Sequence, residues 1–253
     1  MKLCLLGSCS GTEPQEARHH TSWILQSNDE IFWFDAGENC SYTAHLAGFD
    51  LRKSRAVFLS HPHLDHVGGL PNLFWNIGKI RARSGQDWHF ELPVYTASLN
   101  QVKAMFEFLS ETEFPCTSPA FRLHEGVVWD DNITVEAMGN THLPVDENGV
   151  PRSFSFRVTA GNKKIVYSGD IRSIQTLGDW PLKCDIFLME NGHNNPCDVC
   201  RYLTEAKAQI GRLIFVHHGR TMLADPEGVI ARCREIAPFP VDGAYDNMQI
   251  DLR

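Results

Sequence analysis

The sequence predicts an α/β fold, an αββα sandwich with two mixed sheets inside and helices outside, in one domain over residues 1–253. Three observations lead there. Short segments rich in Ile, Val, Phe and Trp alternate with helical patterns along the whole chain. No linker, low-complexity tract or tandem repeat divides it. Each half begins with strands in quick succession and then mixes them with helices, which suits layered packing. With 43% hydrophobic and 21% charged residues the chain is not disordered, and no apolar run can span a bilayer.

The first strand is expected at Lys2–Leu6, followed by a glycine loop. Leu6-Gly7-Ser8-Cys9 resembles a lipid-attachment box, but one Lys and a handful of apolar residues precede it, too few for a leader. The eight Cys, at 4, 9, 40, 116, 184, 197, 200 and 233, are too scattered for a disulfide framework, so a cytoplasmic protein with reduced thiols is expected. Further strands are expected at Ser22–Gln26, Ile31–Asp35, Ala56–Ser60, Ile133–Met138, Phe154–Thr159, Lys164–Ser168, Asp185–Glu190, Leu213–His217 and Met248–Leu252. Helices are expected from Asp65 to Trp75 and from Ser98 to Leu109. Asn195-Pro196 reads as an N-cap and first residue, with Val199, Leu203, Ala206 and Ile210 on one face, and Asp225-Pro226 repeats the start signal. Cys197-x-x-Cys200 has no second pair to complete a zinc site and reads as structural thiol, with a redox role as the alternative.

Charge narrows the function. Lys plus Arg is 23 and Asp plus Glu 31, a net −8, which argues against a long polyanion as partner. Yet this acidic chain carries 12 His. Three of them fall in Ala56-Val-Phe-Leu-Ser-His61-Pro-His63-Leu-Asp65-His66-Val-Gly-Gly-Leu70, where an apolar strand runs into four metal-competent side chains. His61 and His63 point the same way in extended chain, and Asp65 and His66 follow a turn into helix. Imidazole and carboxylate suit Zn, Mn or Fe.

This segment resembles the His-x-His-x-Asp-His motif of the metallo-β-lactamase fold. The resemblance continues at His142 after Ile133–Met138, at Asp170 after Ile-Val-Tyr-Ser-Gly, and at His217 after Leu-Ile-Phe-Val. It implies a dinuclear metal-dependent hydrolase with two divalent ions: His61, His63 and His142 on one, Asp65, His66 and His217 on the other, Asp170 between them. His218 competes with His217, which is favoured because it continues the strand register. The family's nucleophile would be a metal-bridging hydroxide, with Asp65 also orienting it. Two divalent ions less Asp65, Asp170 and hydroxide leave about +1, suited to a phosphodiester anion.

The opening Leu-Leu-Gly7-Ser-Cys-Ser-Gly11-Thr with His19-His20-Thr-Ser-Trp resembles the phosphodiesterase branch, which includes ribonuclease Z and the phosphodiesterase of the carbon–phosphorus lyase pathway. Glu190-Asn-Gly-His193 resembles a strand-end motif of the latter, implying His193 as general acid and Glu190 as its orienting partner. Asp242-Gly243-Ala-Tyr-Asp246-Asn-Met resembles the closing strand. Ribonuclease Z-like enzymes carry a basic arm in the interval corresponding to 171–189, which here is short and lacks a basic cluster. The substrate expected is therefore a small phosphodiester, cyclic or nucleotide-like, and long nucleic acid and membrane are not expected partners; a homodimer is left open. The alternatives are a tRNA 3′-processing endonuclease, a lactonase or thioesterase on the same metals, and a non-catalytic metal module. Ile80–Arg83 reads as a solvated loop. Trp75, Trp88 and Phe90, around the insert 76–92, either roof the cleft or pack in the core.

Overall fold

The computed structural model describes residues 1–113 and 116–252, and the chain divides into two compact units. The first comprises Met1–Gly7, Glu13–Leu123 and Tyr245–Arg253; the second comprises Ser8–Thr12 and His124–Ala244.

The first unit is built on a seven-stranded mixed sheet. Its strands are β1 (Lys2–Gly7), β2 (Ser22–Ser27), β3 (Glu30–Phe34), β4 (Ser54–Leu59), β5 (Val94–Thr96), β6 (Ala120–Arg122) and the chain's last strand, β14 (Met248–Asp251). The order is β14-β1-β2-β3-β4-β5-β6, antiparallel as far as β3 and parallel beyond it. Ile31, Phe32, Trp33 and Phe34 are all fully buried, so β3 is apolar on both faces. On one face Trp33, Ile24, Val57 and Leu59 pack with Leu73, Phe74 and Ile77 of the helical side. On the other, register partners stack into a ladder across five strands: Trp23 on Phe34 at 4.0 Å, Phe34 on Phe58 and Phe58 on Tyr95 at 5.1 Å, and Tyr95 on Phe121 at 5.2 Å. Each such cross-strand pair contributes roughly 0.2–1 kcal/mol.

The helices of this unit are α1 (Cys40–Leu46), α2 (Leu64–Val67), α3 (Leu70–Arg83) and α4 (Leu99–Ser110). The single helix expected from Asp65 to Trp75 is therefore two, separated at Gly68-Gly69, and the second runs on to Arg83. Ile80–Arg83 is its last turn, not a loop. Trp88 and Phe90 pack against the unit's core, Trp88 over Gly78, so they resolve to packing. Both glycines of the break have right-handed backbone. Gly69 is required by proximity, because a Cβ there would land on the Gly37 carbonyl oxygen.

The second unit repeats the pattern with β7 (Gly126–Asp130), β8 (Thr134–Gly139), β9 (Phe154–Ala160), β10 (Lys163–Tyr167), β11 (Lys183–Glu190), β12 (Gln209–Val216) and β13 (Val241–Gly243), in the order β13-β12-β11-β10-β9-β8-β7. Its helices are α5 (Pro196–Glu205), α6 (Arg220–Ala224) and α7 (Pro226–Ile236). Val199, Cys200 and Leu203 of α5, with Val229, Ile230 and Cys233 of α7, pack on Phe187, Met189, Leu213 and Phe215 of the sheet. Asn195 caps α5 as expected, accepting from Cys197 N–H. The helix stops at Glu205, however; Lys207 turns left-handed and Ile210 lies in β12. The apolar spacing runs on across this boundary because β12 is itself apolar. No helix of the described residues is long and apolar enough to cross a membrane.

Gly69→Ala should destabilise the protein by about 1–3 kcal/mol in denaturant unfolding, because the obstacle is backbone and no rotamer relieves it. A neutral outcome would mean that the 35–37 segment can move away.

Candidate metal centre

In the first unit β4 ends at Leu59, and the next residues turn the predicted motif into place. His61 is buried, His63 is exposed, and Asp65 and His66 lie in α2. The rings of His61 and His63 are 4.6 Å apart, and those of His61 and His66 4.1 Å. Asp65 Oδ2 is 3.4 Å from His66 Nε2. The four side chains singled out in the sequence thus converge.

Two of them, His61 and His66, are held by a residue that the sequence reading missed. Asp35, fully buried, sits just past β3 with φ of 56°. Its Oδ1 accepts Ser60 N–H at 2.7 Å, and its Oδ2 accepts the Ser60 hydroxyl at 2.8 Å and lies 2.8 Å from His66 Nδ1. A carboxylate accepts only, so Nδ1 of His66 carries the proton and Nε2 keeps its lone pair for a metal. Ser60 Oγ in turn lies 3.0 Å from His61 Nδ1. The signal in the sequence was an acidic residue between an apolar strand and Ala36-Gly37.

In the second unit Asp170 is the centre. It is 2% exposed, and its Oδ2 lies 3.2 Å from His217 Nε2, 3.7 Å from His142 Nε2 and 3.8 Å from His193 Nδ1. Asp170, His193 and His217 bring ligand atoms within 4.8 Å of one another, the spacing of a metal site. His142 follows β8, its N–H bonded to Asn140 Oδ1 at 3.1 Å. Glu190, the fully buried last residue of β11, accepts His193 N–H at 2.9 Å and Asn194 Nδ2–H at 2.5 Å; its Oε2 is 3.4 Å from His193 Nδ1 and 3.8 Å from His217 Nδ1. Asn194 is a second residue missed from sequence.

His217 rather than His218 faces Asp170, though not for the reason expected. The strand ends at Val216, and His217 has φ of 51°, which carries its ring to Asp170. His218 is a structural residue: its Nε2 lies 2.8 Å from the Ala244 carbonyl and its Nδ1 3.2 Å from the Asn191 amide. Cys197 and Cys200 are free thiols, as are the other six. Cys197 lies 3.9 Å from Cys233.

The electrostatics of the Glu190–His193 pair are marked. Burial alone would raise the Glu190 carboxyl, but hydrogen bonds from His193 and His217 outweigh it and hold it below the usual value. His193 is raised above its ordinary 6.5, first by its hydrogen bond to Glu190, against partial burial.

Buried imidazoles gathered on carboxylates form a donor set for a borderline divalent ion, and imidazole–carboxylate contacts of this kind are how metal-binding histidines are oriented. Residues 16–218 match the Metallo-beta-lactamase superfamily. The chain belongs to that superfamily, and it binds divalent metal through its His/Asp cluster. It is similar to ribonuclease Z of Treponema pallidum, 42% identical over 65 residues that cover 26% of this chain and 21% of that protein. It is also similar to ribonuclease Z of Bacillus subtilis, 28% identical with 75% of each covered. Among solved structures, the metallo-beta-lactamase fold protein YhfI of Bacillus subtilis superimposes with a TM-score of 0.75 at 19% identity, over 99% of both chains. A diphosphatase of the PhnP family gives 0.68 at 16%, covering 100% of this chain and 98% of that one. The expected fold class, two mixed sheets with flanking helices of the metallo-β-lactamase type, is the observed one.

Asp35→Asn should weaken divalent metal affinity about 10–100-fold in chelator competition, because it removes the charge that orients His66. In chelator-treated protein the Glu190–His193 pair sets a pH window. The stabilisation from a raised His193 is complete below 6.5 and lost as pH rises through the raised value. That from a lowered Glu190 is present above the usual carboxylate range and lost as pH falls through the lowered value. Glu190→Gln should therefore flatten the alkaline fall in thermal midpoint; an unchanged slope would show that other groups set it.

Proposed function

We propose that the protein is a dinuclear metal-dependent phosphodiesterase acting on a small phosphodiester, with residues 1–253 working as one catalytic domain. The observation that carries this reading is the gathering of imidazoles on buried carboxylates, His66 on Asp35 and His217 on Asp170 and Glu190, in a chain of this superfamily. His61, His63 and His142 would hold one ion; Asp65, His66 and His217 would hold the other; Asp170 would bridge. Zn, Mn and Fe all suit these donors. Bound ions would acidify water and neutralise phosphoryl charge.

This chain's own residues then divide the work. Asp65, beside His66, orients the attacking water. Glu190 fixes the imidazole of His193, whose other nitrogen remains open, the ring being 42% exposed. His193 so placed donates a proton to the leaving alkoxide. A small substrate is favoured because the interval 171–189 holds only two short 3₁₀ turns, Ile174–Leu177 and Trp180–Leu182, before β11. A cytoplasmic location fits the eight free thiols. The relatives named ribonuclease Z favour a second reading, an RNA endonuclease.

Purified protein should contain about two ions per chain and hydrolyse bis-p-nitrophenyl phosphate with Mn²⁺ or Zn²⁺. His193→Ala should reduce turnover of alkyl phosphodiesters about 10²–10⁴-fold and of nitrophenyl esters much less, since nitrophenolate needs little protonation. Equal losses on both would remove the general-acid role, and precursor RNA cleaved far faster than any small diester would decide for the second reading.

A further inference from the structure

In the second unit, where α5 packs on α7, one thiol of α7 meets two of α5. Cys197 and Cys200 lie three residues apart in α5 and so share one side of that helix. Cys233 lies on α7; its Sγ is 3.9 Å from that of Cys197, and it shares a hydrogen bond with Cys200. Further along the same side of α5, Thr204 Oγ1 bonds the Ile236 carbonyl at 3.4 Å. Cys200 and Cys233 are fully buried, in the core that holds Val199, Leu203, Val229 and Ile230, whereas Cys197 is half-buried. None of the three belongs to the proposed ligand set.

The Cys-x-x-Cys spacing by itself points to a bond between Cys197 and Cys200, within the start of α5. The structure gives Cys197 a different neighbour. The sulfur in contact with it is that of Cys233, on another helix and 36 residues away. Joining them shortens the sulfur separation from 3.9 Å to about 2.05 Å. The Asn195 side chain accepts the Cys197 N–H at 2.9 Å and holds the backbone on the α5 side.

The surroundings set the chemistry. Burial first, and then Cys233, raises the Cys197 thiol above its ordinary value; Arg201 and Arg232 oppose this. Cys233 is raised by its hydrogen bond to Cys200 and by burial, with Arg232 again opposing. Both are therefore protonated at neutral pH and react slowly as thiols. A disulfide carries neither charge nor proton, so it suits an apolar helix interface better than a thiolate does.

We propose that Cys197 and Cys233 form a reversible disulfide that clasps α5 to α7, with Cys197 as the thiol that an oxidant reaches. The oxidant is a low-molecular-weight disulfide such as oxidised glutathione, and the steps balance. Cys197, as thiolate, attacks one sulfur of the oxidant; the oxidant's S–S bond breaks, a mixed disulfide forms, and one glutathione leaves with the proton that Cys197 gave up. Cys233, as thiolate, then attacks the Cys197 sulfur and expels the second glutathione, which takes the Cys233 proton. Two protein thiols are oxidised, and one glutathione disulfide is reduced to two thiols. The bond anchors the first turn of α5, which starts just after His193 and Asn194. It is independent of the phosphodiesterase reading.

The test incubates the metal-loaded protein with oxidised glutathione at mildly alkaline pH, quenches with acid, alkylates the remaining thiols and maps the linkage by fragmentation mass spectrometry. Wild type should lose two of its eight thiols, carry a Cys197–Cys233 bond with Cys200 alkylated, and recover both thiols in dithiothreitol. Cys200→Ala should form the same bond. Cys197→Ala, at a half-buried position, should lose thiols at least about tenfold more slowly, because the accessible sulfur is gone. A bond from Cys200 to either partner, a glutathione adduct on Cys197 that never resolves, or retention of all eight thiols would each overturn the proposal. So would loss of two thiols from Cys197→Ala at the wild-type rate.

Discussion

Asp35 is the constraint on which the first half-site depends. One fully buried carboxylate accepts the Ser60 amide and hydroxyl and orients His66, while Ser60 passes the orientation on to His61. A buried charge is tolerated only where hydrogen bonds replace its hydration, and here they do. Its position is in turn dictated by backbone: the 35–37 segment hydrogen-bonds to the chain at Thr21, His66 and Gly69. The closeness of that packing is why Gly37 and Gly69 lack side chains. Rigidity in the sheet thus reaches the imidazoles through three residues.

The second unit solves the same problem with different parts. Asp170 lies beyond β10 and Glu190 at the end of β11, and between them they contact His142, His193 and His217. Glu190 N–H is bonded to Ser168 Oγ, and Asn194 bridges Glu190 to the Ile171 carbonyl. Neighbouring parallel strands end together, so acid and imidazole from different strands meet at one edge. In both units the residues at and just past the strand ends carry the chemistry.

Much of this was legible in the sequence. The long strands are, because Ile31–Phe34 or Ile186–Met189 is buried on both faces and reads as a continuous apolar run. The three-residue strands β5, β6 and β13 are not, since three residues carry no period. His61, His63, Asp65 and His66 stand out by spacing, whereas Asp35 is one of 31 acidic residues and is recognised only by what it touches. His217 was chosen over His218 by strand register, yet a left-handed residue just past the strand decides it, which side-chain alternation does not encode. The charge sum of about +1 omitted Asp35 and Glu190, two further buried carboxylates on the imidazoles.

Those buried carboxylates have a thermodynamic corollary. Asp35, Asp170 and Glu190 are each 2% exposed or less, and imidazoles face all three. In the metal-free protein the mutual repulsion of Asp170 and Glu190, which both reach the His217 ring, is part of the cost of folding. A divalent ion that binds the folded chain and not the unfolded one relieves it, and stability then rises with the logarithm of free ion concentration over its dissociation constant, by about 2.7 kcal/mol at a hundredfold excess. Resistance to heat or protease would accordingly follow how much metal its surroundings supply, and the same clustering of acids that readies the site would make the metal-starved protein the one most easily cleared.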